Sequence, residues 1–280
     1  MTTSLPVVDV VDGVATVRLV RPDAGNALDL PTALALRDAV ARLDELAHAA
    51  GPGALRCVVL RSNGRLFCAG GDVRAMTAAP DRSAFVAELA GLLHEALTGL
   101  RSLPVPVVAA VHGPAAGAGL GLVLAADVVV ASEQATFLAA YAAVGLSPDC
   151  GVSALLPLVV GPRRAALLLL TGLRIDAPTA LEWGLVGQVC AADDLDASVD
   201  AVVAGIVAQP ALAVGEAARL LRAAPERAYA DHLADEAATI ARLSTTPDAD
   251  RLLRAFGADA SGHRDHPTEP TENASPKERP

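Results

Sequence analysis

Short apolar segments with the character of β-strands alternate along this chain with longer segments of helical periodicity. Residues 7–11 and 14–20 are rich in valine, and the Asp-Gly pair between them is a typical two-residue hairpin turn. Residues 30–50 instead place leucine and valine at helical spacing, and residues 57–61 begin another strand. The pattern predicts an antiparallel hairpin followed by alternating helices and strands.

The alternation continues to about residue 131 and then gives way to helices. We predict helices at 84–103 and 118–126 and strands at 105–111 and 128–131. Helix-connected strands normally become parallel neighbours, because right-handed crossovers return the chain to the same sheet. Beyond residue 161 we predict helices at 163–171, 177–183, 195–208, 210–223, 225–244 and 248–256, interrupted by a strand at 186–190. We therefore expect an α/β core over 1–195, a helical region over 196–257 and a disordered polar tail over 258–280.

Composition narrows the class of function. The chain has 280 residues, of which 52% are apolar, enough for one large core, and its formal net charge of −10 argues against a broad nucleic-acid footprint. Its four cysteines form no C-x-x-C pair, so neither a zinc site nor a disulfide framework is predicted. With no recognisable leader pattern, we expect a cytoplasmic protein that acts on a small molecule.

Residues 105–126 lack charged side chains and are long enough for a membrane span. Two prolines and four glycines within that stretch would break a spanning helix repeatedly. A buried strand, a glycine turn and a buried helix explain the same residues better, so no membrane partner is expected.

Two segments of small residues carry the candidate chemistry. Residues 68–72 and 113–121 each follow a strand-like run and each lead towards a helix. Such turns direct backbone N–H groups into open space, where unpaired donors and a helix N-terminus favour a negatively charged oxygen. Together they predict an oxyanion site, and hence an enzyme; tight helix starts without function are the alternative.

A set of short motifs follows in a fixed order from about residue 5 to residue 257. They are Arg21-Pro22 to Asn26-Ala27-Leu28, Phe67-Cys-Ala-Gly-Gly-Asp72, Ala109-Ala-Val-His-Gly113, Ala126-Asp127, Leu146-Ser-Pro-Asp149, Gly172 to Ile175 and Trp183-Gly-Leu-Val186. In these motifs the chain resembles the crotonase (enoyl-CoA hydratase/isomerase) superfamily. The resemblance implies a ClpP/crotonase-like α/β fold with a repeated ββα core and a C-terminal helical trimerisation region. It also implies an acyl-CoA thioester substrate, no further cofactor, no metal, and a homotrimer or dimer of trimers.

The resemblance also assigns individual residues. The oxyanion donors fall on the backbone N–H groups of Gly71 and Ala118. Arg74 has two possible roles. It either contacts a phosphate of coenzyme A or carries a solvated charge on a helix. The residues expected to surround coenzyme A and the acyl group are Ala24, Ala27, Ala69, Asp72, Val73, Arg74 and Tyr141.

The chain departs from the hydratases of that family at two positions. Gly121 and Tyr141 stand where the resemblance implies two glutamates that activate water. Water addition needs a base and an acid, which these residues supply poorly. Asp149 is the remaining carboxylate, at a position where family isomerases carry a proton-shuttling aspartate. We therefore predict an enoyl-CoA isomerase that converts 3-enoyl-CoA to 2-enoyl-CoA through an enolate.

Several alternatives stay open at this stage. Asp149 precedes a predicted helix at 151–160 and is also a good N-cap residue. Cys150 as a nucleophile is a weaker possibility, because no histidine is close in sequence. Hydration, decarboxylation or ring isomerisation would use the same enolate, and the missing glutamates also suit an acyl-CoA-binding protein without turnover.

Overall fold

The computed structural model of the protein describes residues 5–49 and 54–262. Internal contacts divide the chain into two compact units, one ending at His232 and one beginning at Leu233. The domain boundary predicted at residue 195 stays a prediction.

The centre of the first unit is a six-stranded sheet with the order β1-β2-β3-β4-β6-β9. The first two strands are antiparallel and the remaining pairs are parallel, as the sequence predicted. In the hairpin turn Asp12 and Gly13 have φ values of 49° and 77°, which match the right-handed twist of the strands. The strands of this sheet are β1 (Val7–Val11), β2 (Val14–Leu19), β3 (Cys57–Ser62), β4 (Val107–Val111), β6 (Val128–Ser132) and β9 (Gln188–Cys190).

A second, three-stranded sheet was not predicted. It has the order β5-β7-β8 and consists of β5 (Ala115–Ala116), β7 (Thr136–Leu138) and β8 (Arg174–Asp176). Strands of two or three residues are too short to show an alternating pattern, so only their pairing defines them.

The predicted helices are present, with ends that differ by a few residues. The first unit contains α1 (Leu30–His48), α2 (Val73–Ala78), α3 (Arg82–Ser102), α4 (Ala118–Leu124), α5 (Val152–Val160), α6 (Pro162–Thr171), α7 (Ala177–Glu182), α8 (Leu195–Val207) and α9 (Ala211–Ala223). Two further helices follow, α10 (Tyr229–Leu243) and α11 (Pro247–Gly262). The last one includes residues 258–262, which we expected to be disordered; the rest of that predicted tail lies outside the described residues.

The central sheet is covered on both faces. Helices α1 and α3 pack on one face over a core that includes Leu36, Leu43 and Leu100, each at most 1% exposed. On the other face Val199 of α8 packs against valines of β3, β4 and β6. Because β3 and β4 are buried on both faces, they appear in the sequence as continuous apolar runs.

No single helix among the described residues has the length and apolar character to cross a membrane. One pair, Ala192–Val207 with Ala211–Glu226, meets those criteria together but bends by 108°.

Candidate active site

The two glycine turns lie against each other. Cys68 forms a parallel bridge with Ala115 of β5, and the Ala116 N–H donates to the Cys68 carbonyl at 2.9 Å. Gly70 has a φ of 95°, and a Cβ there would lie 2.9 Å from the Ala116 oxygen. The same Cβ would lie 3.4 Å from the Ala118 nitrogen. The close approach of the two turns therefore requires glycine at position 70.

The expected donors, the N–H groups of Gly71 and Ala118, take no part in the backbone hydrogen bonds of the described loops and turns. Gly71 pairs with Leu28 in a short parallel bridge, in which the Leu28 N–H donates to the Gly70 carbonyl at 2.8 Å and the Asp72 N–H donates to the Leu28 carbonyl at 2.9 Å. The N–H of Gly71 takes part in neither bond. Ala118 is the first residue of α4, where an N–H has no partner within the helix. Both groups are thus available to an oxygen of a ligand.

The residues expected near coenzyme A lie on two loops that contact each other. The Ala69 N–H donates to the Gly25 carbonyl at 3.0 Å, between Ala24 and Ala27. Val73 and Arg74 are both exposed on α2.

Asp72 has a structural task in addition to its predicted one. One of its oxygens accepts the Ala75 N–H at 3.1 Å and caps α2, and the other lies 3.2 Å from the guanidinium of Arg21. That guanidinium also lies 3.1 Å from the carboxylate of Asp29, which caps α1. Arg21, which the sequence analysis quoted but gave no role, therefore joins the two loops.

Asn26 is a second residue whose task became visible only in the structure. Its side chain is 1% exposed and donates to the carbonyls of Asn63 and Leu66, each at 2.8 Å. It also accepts the Arg21 N–H at 2.9 Å. These bonds satisfy a buried amide and hold the loop in a left-handed turn, with a φ of 55° at Asn26.

Asp149 does not cap the helix that follows it. Helix α5 begins at Val152 with Gly151 as its N-cap and without a side-chain capping bond. The Oδ1 atom of Asp149 is buried and has no hydrogen-bond partner. A buried carboxylate oxygen without a partner is costly, and such groups are commonly found where function requires them. The N-cap interpretation of Asp149 is therefore wrong.

His94 is the residue of this site that the sequence analysis missed. It lies on α3, and its Nε2 accepts the backbone N–H of Cys150 at 3.2 Å. Ligand-type atoms of His94, Asp149 and Cys150 all lie within 4.8 Å of one another. A separation of more than fifty residues, with no shared pattern, left no signal for this contact in the sequence.

The thiol of Cys150 is a poor nucleophile in this setting. Burial raises its pKa, and the carboxylate of Asp149 raises it further. The thiol is therefore protonated at neutral pH, whereas both nucleophilic attack and metal ligation require the thiolate.

The two positions that lack glutamate differ in what they offer instead. The Tyr141 hydroxyl donates to the Asp149 carbonyl at 3.3 Å, and burial followed by the charge of Asp149 raises the pKa of this tyrosine. At Gly121 a Cβ would lie 2.7 Å from both the Cβ and the carbonyl oxygen of Cys150. Position 121 thus lacks room for any side chain.

Comparisons with known proteins agree with this geometry. The family model described as enoyl-CoA hydratase/isomerase matches residues 9–256. The chain is 34% identical over 201 residues to "4-chlorobenzoyl coenzyme A dehalogenase-2" from an Arthrobacter species, covering 71% of each protein. It is 33% identical over 196 residues to "Trans-2-decenoyl-[acyl-carrier-protein] isomerase" from Streptococcus mutans, covering 69% of this chain and 72% of that protein.

The fold is shared with solved structures. An enoyl-CoA hydratase from Mycobacterium smegmatis superimposes with a TM-score of 0.84 at 34% identity, over 91% of this chain and 96% of that one. The facing glycine turns, the parallel sheet and these similarities show that the chain belongs to the enoyl-CoA hydratase/isomerase family and has the crotonase fold.

Proposed function

We propose that this protein is an acyl-CoA isomerase that converts 3-enoyl-CoA esters to conjugated 2-enoyl-CoA esters. The observation that carries the proposal is a buried, unpartnered carboxylate oxygen, that of Asp149. Its cluster with His94 and Cys150 holds no second carboxylate among the described residues. Moving a double bond needs one group that removes and returns a proton, whereas adding water needs two.

In the proposed reaction Asp149 removes a proton from C2 of the substrate. The electrons of the C–H bond spread over the thioester as a dienolate, and the N–H groups of Gly71 and Ala118 donate to its oxygen. The protonated Asp149 then returns the proton at C4, which leaves the double bond between C2 and C3. No water is consumed and the carboxylate is regenerated.

The contacts around Asp149 support this assignment. Its neighbour Cys150 packs against Gly121, one helical turn after Ala118 on α4. Tyr141, which hydrogen-bonds the Asp149 backbone, also lies near Gly117 at the start of that helix. The proposed base and one proposed donor are therefore held by the same cluster of residues.

The names of two relatives agree with a double-bond or ring isomerisation. One is the S. mutans isomerase already described. Another, "1,2-epoxyphenylacetyl-CoA isomerase" from Escherichia coli, is 34% identical over 208 residues, covering 72% of this chain and 76% of that protein.

A direct assay tests the proposal. With 3-enoyl-CoA esters of several chain lengths we expect the conjugated product to form. Its ultraviolet absorbance measures the rate. With crotonyl-CoA we expect little 3-hydroxybutyryl-CoA. Hydration that is faster than isomerisation would overturn the proposal.

A specific observation supports a second candidate, replacement of an aromatic chlorine by hydroxyl. His94 and Asp149 lie together, and Arthrobacter relatives carry the name of 4-chlorobenzoyl-CoA dehalogenases. Such a reaction consumes one water and releases chloride and a proton. The Asp149 carboxylate is the group with a free oxygen to accept that proton, because the Nε2 atom of His94 already accepts the Cys150 N–H. Chloride release from 4-chlorobenzoyl-CoA, measured with an ion-selective electrode, separates this candidate from the isomerase.

We also propose, from the resemblance alone, that the protein works without a further cofactor in the cytoplasm, as a homotrimer or dimer of trimers. An acyl-CoA-binding protein without turnover is the outcome if no ester in the panel reacts.

A further inference from the structure

A large cavity adjoins the site and is not explained by the reaction chemistry alone. Its volume is about 780 Å³, within the ~300–1,000 Å³ typical of pockets that enclose a drug-sized ligand. Helices α3, α4, α5 and α9 each contribute one face to its wall. On α3 the lining residues include His94, Leu97, Thr98 and Arg101, which follow one stripe of the helix.

The cavity begins at the proposed reaction centre. Gly121 and Cys150 both line it, and they are respectively one helical turn from Ala118 and one residue from Asp149. Position 121 carries no side chain. The cavity and the reaction centre are therefore not separated by a side chain at this position.

The wall contains both apolar and charged groups. Apolar groups of Leu97, Ala125, Ala154 and Leu155 line it, and charged groups of α9 also contribute, including Glu216 and Arg219. Along α3 the lining extends from His94 to Ser102, about 12 Å at ~1.5 Å per residue. An extended chain advances ~1.2 Å per bond, so that length corresponds to about ten bonds.

The α9 wall is held in place before any ligand binds. Gly215 packs so closely on Pro104 that a Cβ there would lie 2.3 Å from the Pro104 oxygen. Arg222, 8% exposed, donates to the carbonyls of Leu103 and Val105 at 2.7 and 3.0 Å and pairs with Asp127. Because the wall is already ordered, binding does not have to order it. The free energy gained by burying an apolar group there therefore contributes directly to the affinity of the ligand.

We infer that this cavity receives the acyl group from the reacting carbons onward and selects acyl-CoA esters with an unbranched apolar chain of about ten carbons in all, counted from the thioester carbon. This inference rests on the proposed function for its reaction, but the binding it describes does not require turnover. The gain from each added methylene ends once the chain has filled the length of the α3 wall, from His94 to Ser102.

The test measures dissociation constants of saturated acyl-CoA esters of 4 to 16 carbons by isothermal titration calorimetry. From 4 to 10 carbons we expect affinity to rise by at least about tenfold, because each buried methylene adds to binding. From 12 to 16 carbons we expect a change of less than about twofold. Equal affinity at all lengths, or a steady rise through 16 carbons, would overturn the inference.

A substitution in the wall identifies the cavity as the binding site. Ala154→Phe should weaken binding of the 10-carbon ester about tenfold and leave the 4-carbon ester unchanged. Ser153→Phe is the control, since Ser153 is an exposed neighbour outside the lining. If the Ala154 variant does not fold, Thr98→Phe narrows the cavity from α3 instead of α5 and should give the same length-dependent loss. An equal loss of affinity for esters of all lengths would show that the acyl chain binds outside this cavity.

The outcomes also separate this inference from the proposed function. Steep length dependence without isomerisation would refute the isomerase and keep the cavity as the acyl site. Isomerisation without length-dependent binding would support the isomerase and refute the cavity as the acyl site.

Discussion

At the scale of single residues, the site depends on groups that the protein leaves without internal partners. Asp149 keeps one buried oxygen unpaired, and Gly71 and Ala118 keep their N–H groups out of the surrounding turns. Each of these absences costs stability unless a ligand satisfies the group. Groups of this kind are ready to bind and stabilise a charge that develops during a reaction.

The first prediction tests Asp149 as the proton carrier. Asp149→Asn keeps the shape of the side chain and removes its ability to accept a proton, so turnover should fall by ~10²-fold or more. Substrate binding should survive. Deuterium exchange at the α-carbon measures the same step for any bound ester. The control is Asp81→Asn, which alters an exposed N-cap of α3 and should leave the rate unchanged. Unchanged exchange in the Asp149 variant would exclude this residue as the base.

The second prediction concerns the close contact between Gly121 and Cys150. Gly121→Ala places a methyl group 2.7 Å from the backbone oxygen of Cys150, so the free energy of unfolding should fall by ~1–3 kcal/mol. The matched control is Gly91→Ala on α3, where no atom lies within 4 Å of the new methyl group. That change should raise the free energy of unfolding by ~0.5–1 kcal/mol. Urea denaturation of both variants measures the difference, and equal effects would contradict the structure.

At the scale of elements, short pieces of structure position the chemistry. Strand β5 has two residues, yet its pairing with β7 and its bridge to Cys68 bring the second glycine turn onto the first. Helix α9 is anchored in a similar way, by a single arginine that reaches into the core beside Asp127. Both devices act between segments that are far apart in sequence, and neither depends on helix or strand propensity.

The third prediction tests the anchor of α9. Arg222→Met leaves the Asp127 carboxylate and several carbonyls buried without their donor, since the two side chains are only 7% and 14% exposed. The free energy of unfolding should fall by ~3–5 kcal/mol. The same substitution at Arg251, whose side chain is 66% exposed, should change it by less than about 0.5 kcal/mol. Thermal or urea denaturation distinguishes the two, and similar small losses would show that the pair does not anchor the helix.

At the scale of the whole molecule, large apolar side chains remain exposed on the C-terminal helices of one chain. Ile240 of α10 and Leu253 of α11 are 69% and 64% exposed. Leu170 of α6, in the first unit, is 79% exposed. On the C-terminal helices, where subunit contacts are expected, burial of exposed apolar residues in an interface would stabilise the assembly.

The fourth prediction concerns assembly. Light scattering should give a mass of three, or six, times the 28.3 kDa subunit. Because we expect the C-terminal helices to carry subunit contacts, Ile240→Asp should shift the protein towards monomers. Leu170→Asp is the comparison on a different exposed surface and should leave the mass unchanged. A monomeric wild type, or dissociation only in the Leu170 variant, would contradict the prediction.

The sequence by itself determined the features that depend on neighbouring residues or on family motifs. Valine-rich runs and an Asp-Gly turn specified the hairpin, and helical spacing specified helices such as α1 and α3. The order and spacing of the motifs together identified the family. Local sterics and periodicity are enough for such features. Tertiary structure alone decided that His94 lies beside Asp149, that Cys150 fills the space above Gly121, and that Asp149 does not cap α5. These arrangements arise from packing between distant segments, for which the sequence holds no periodic or local signal.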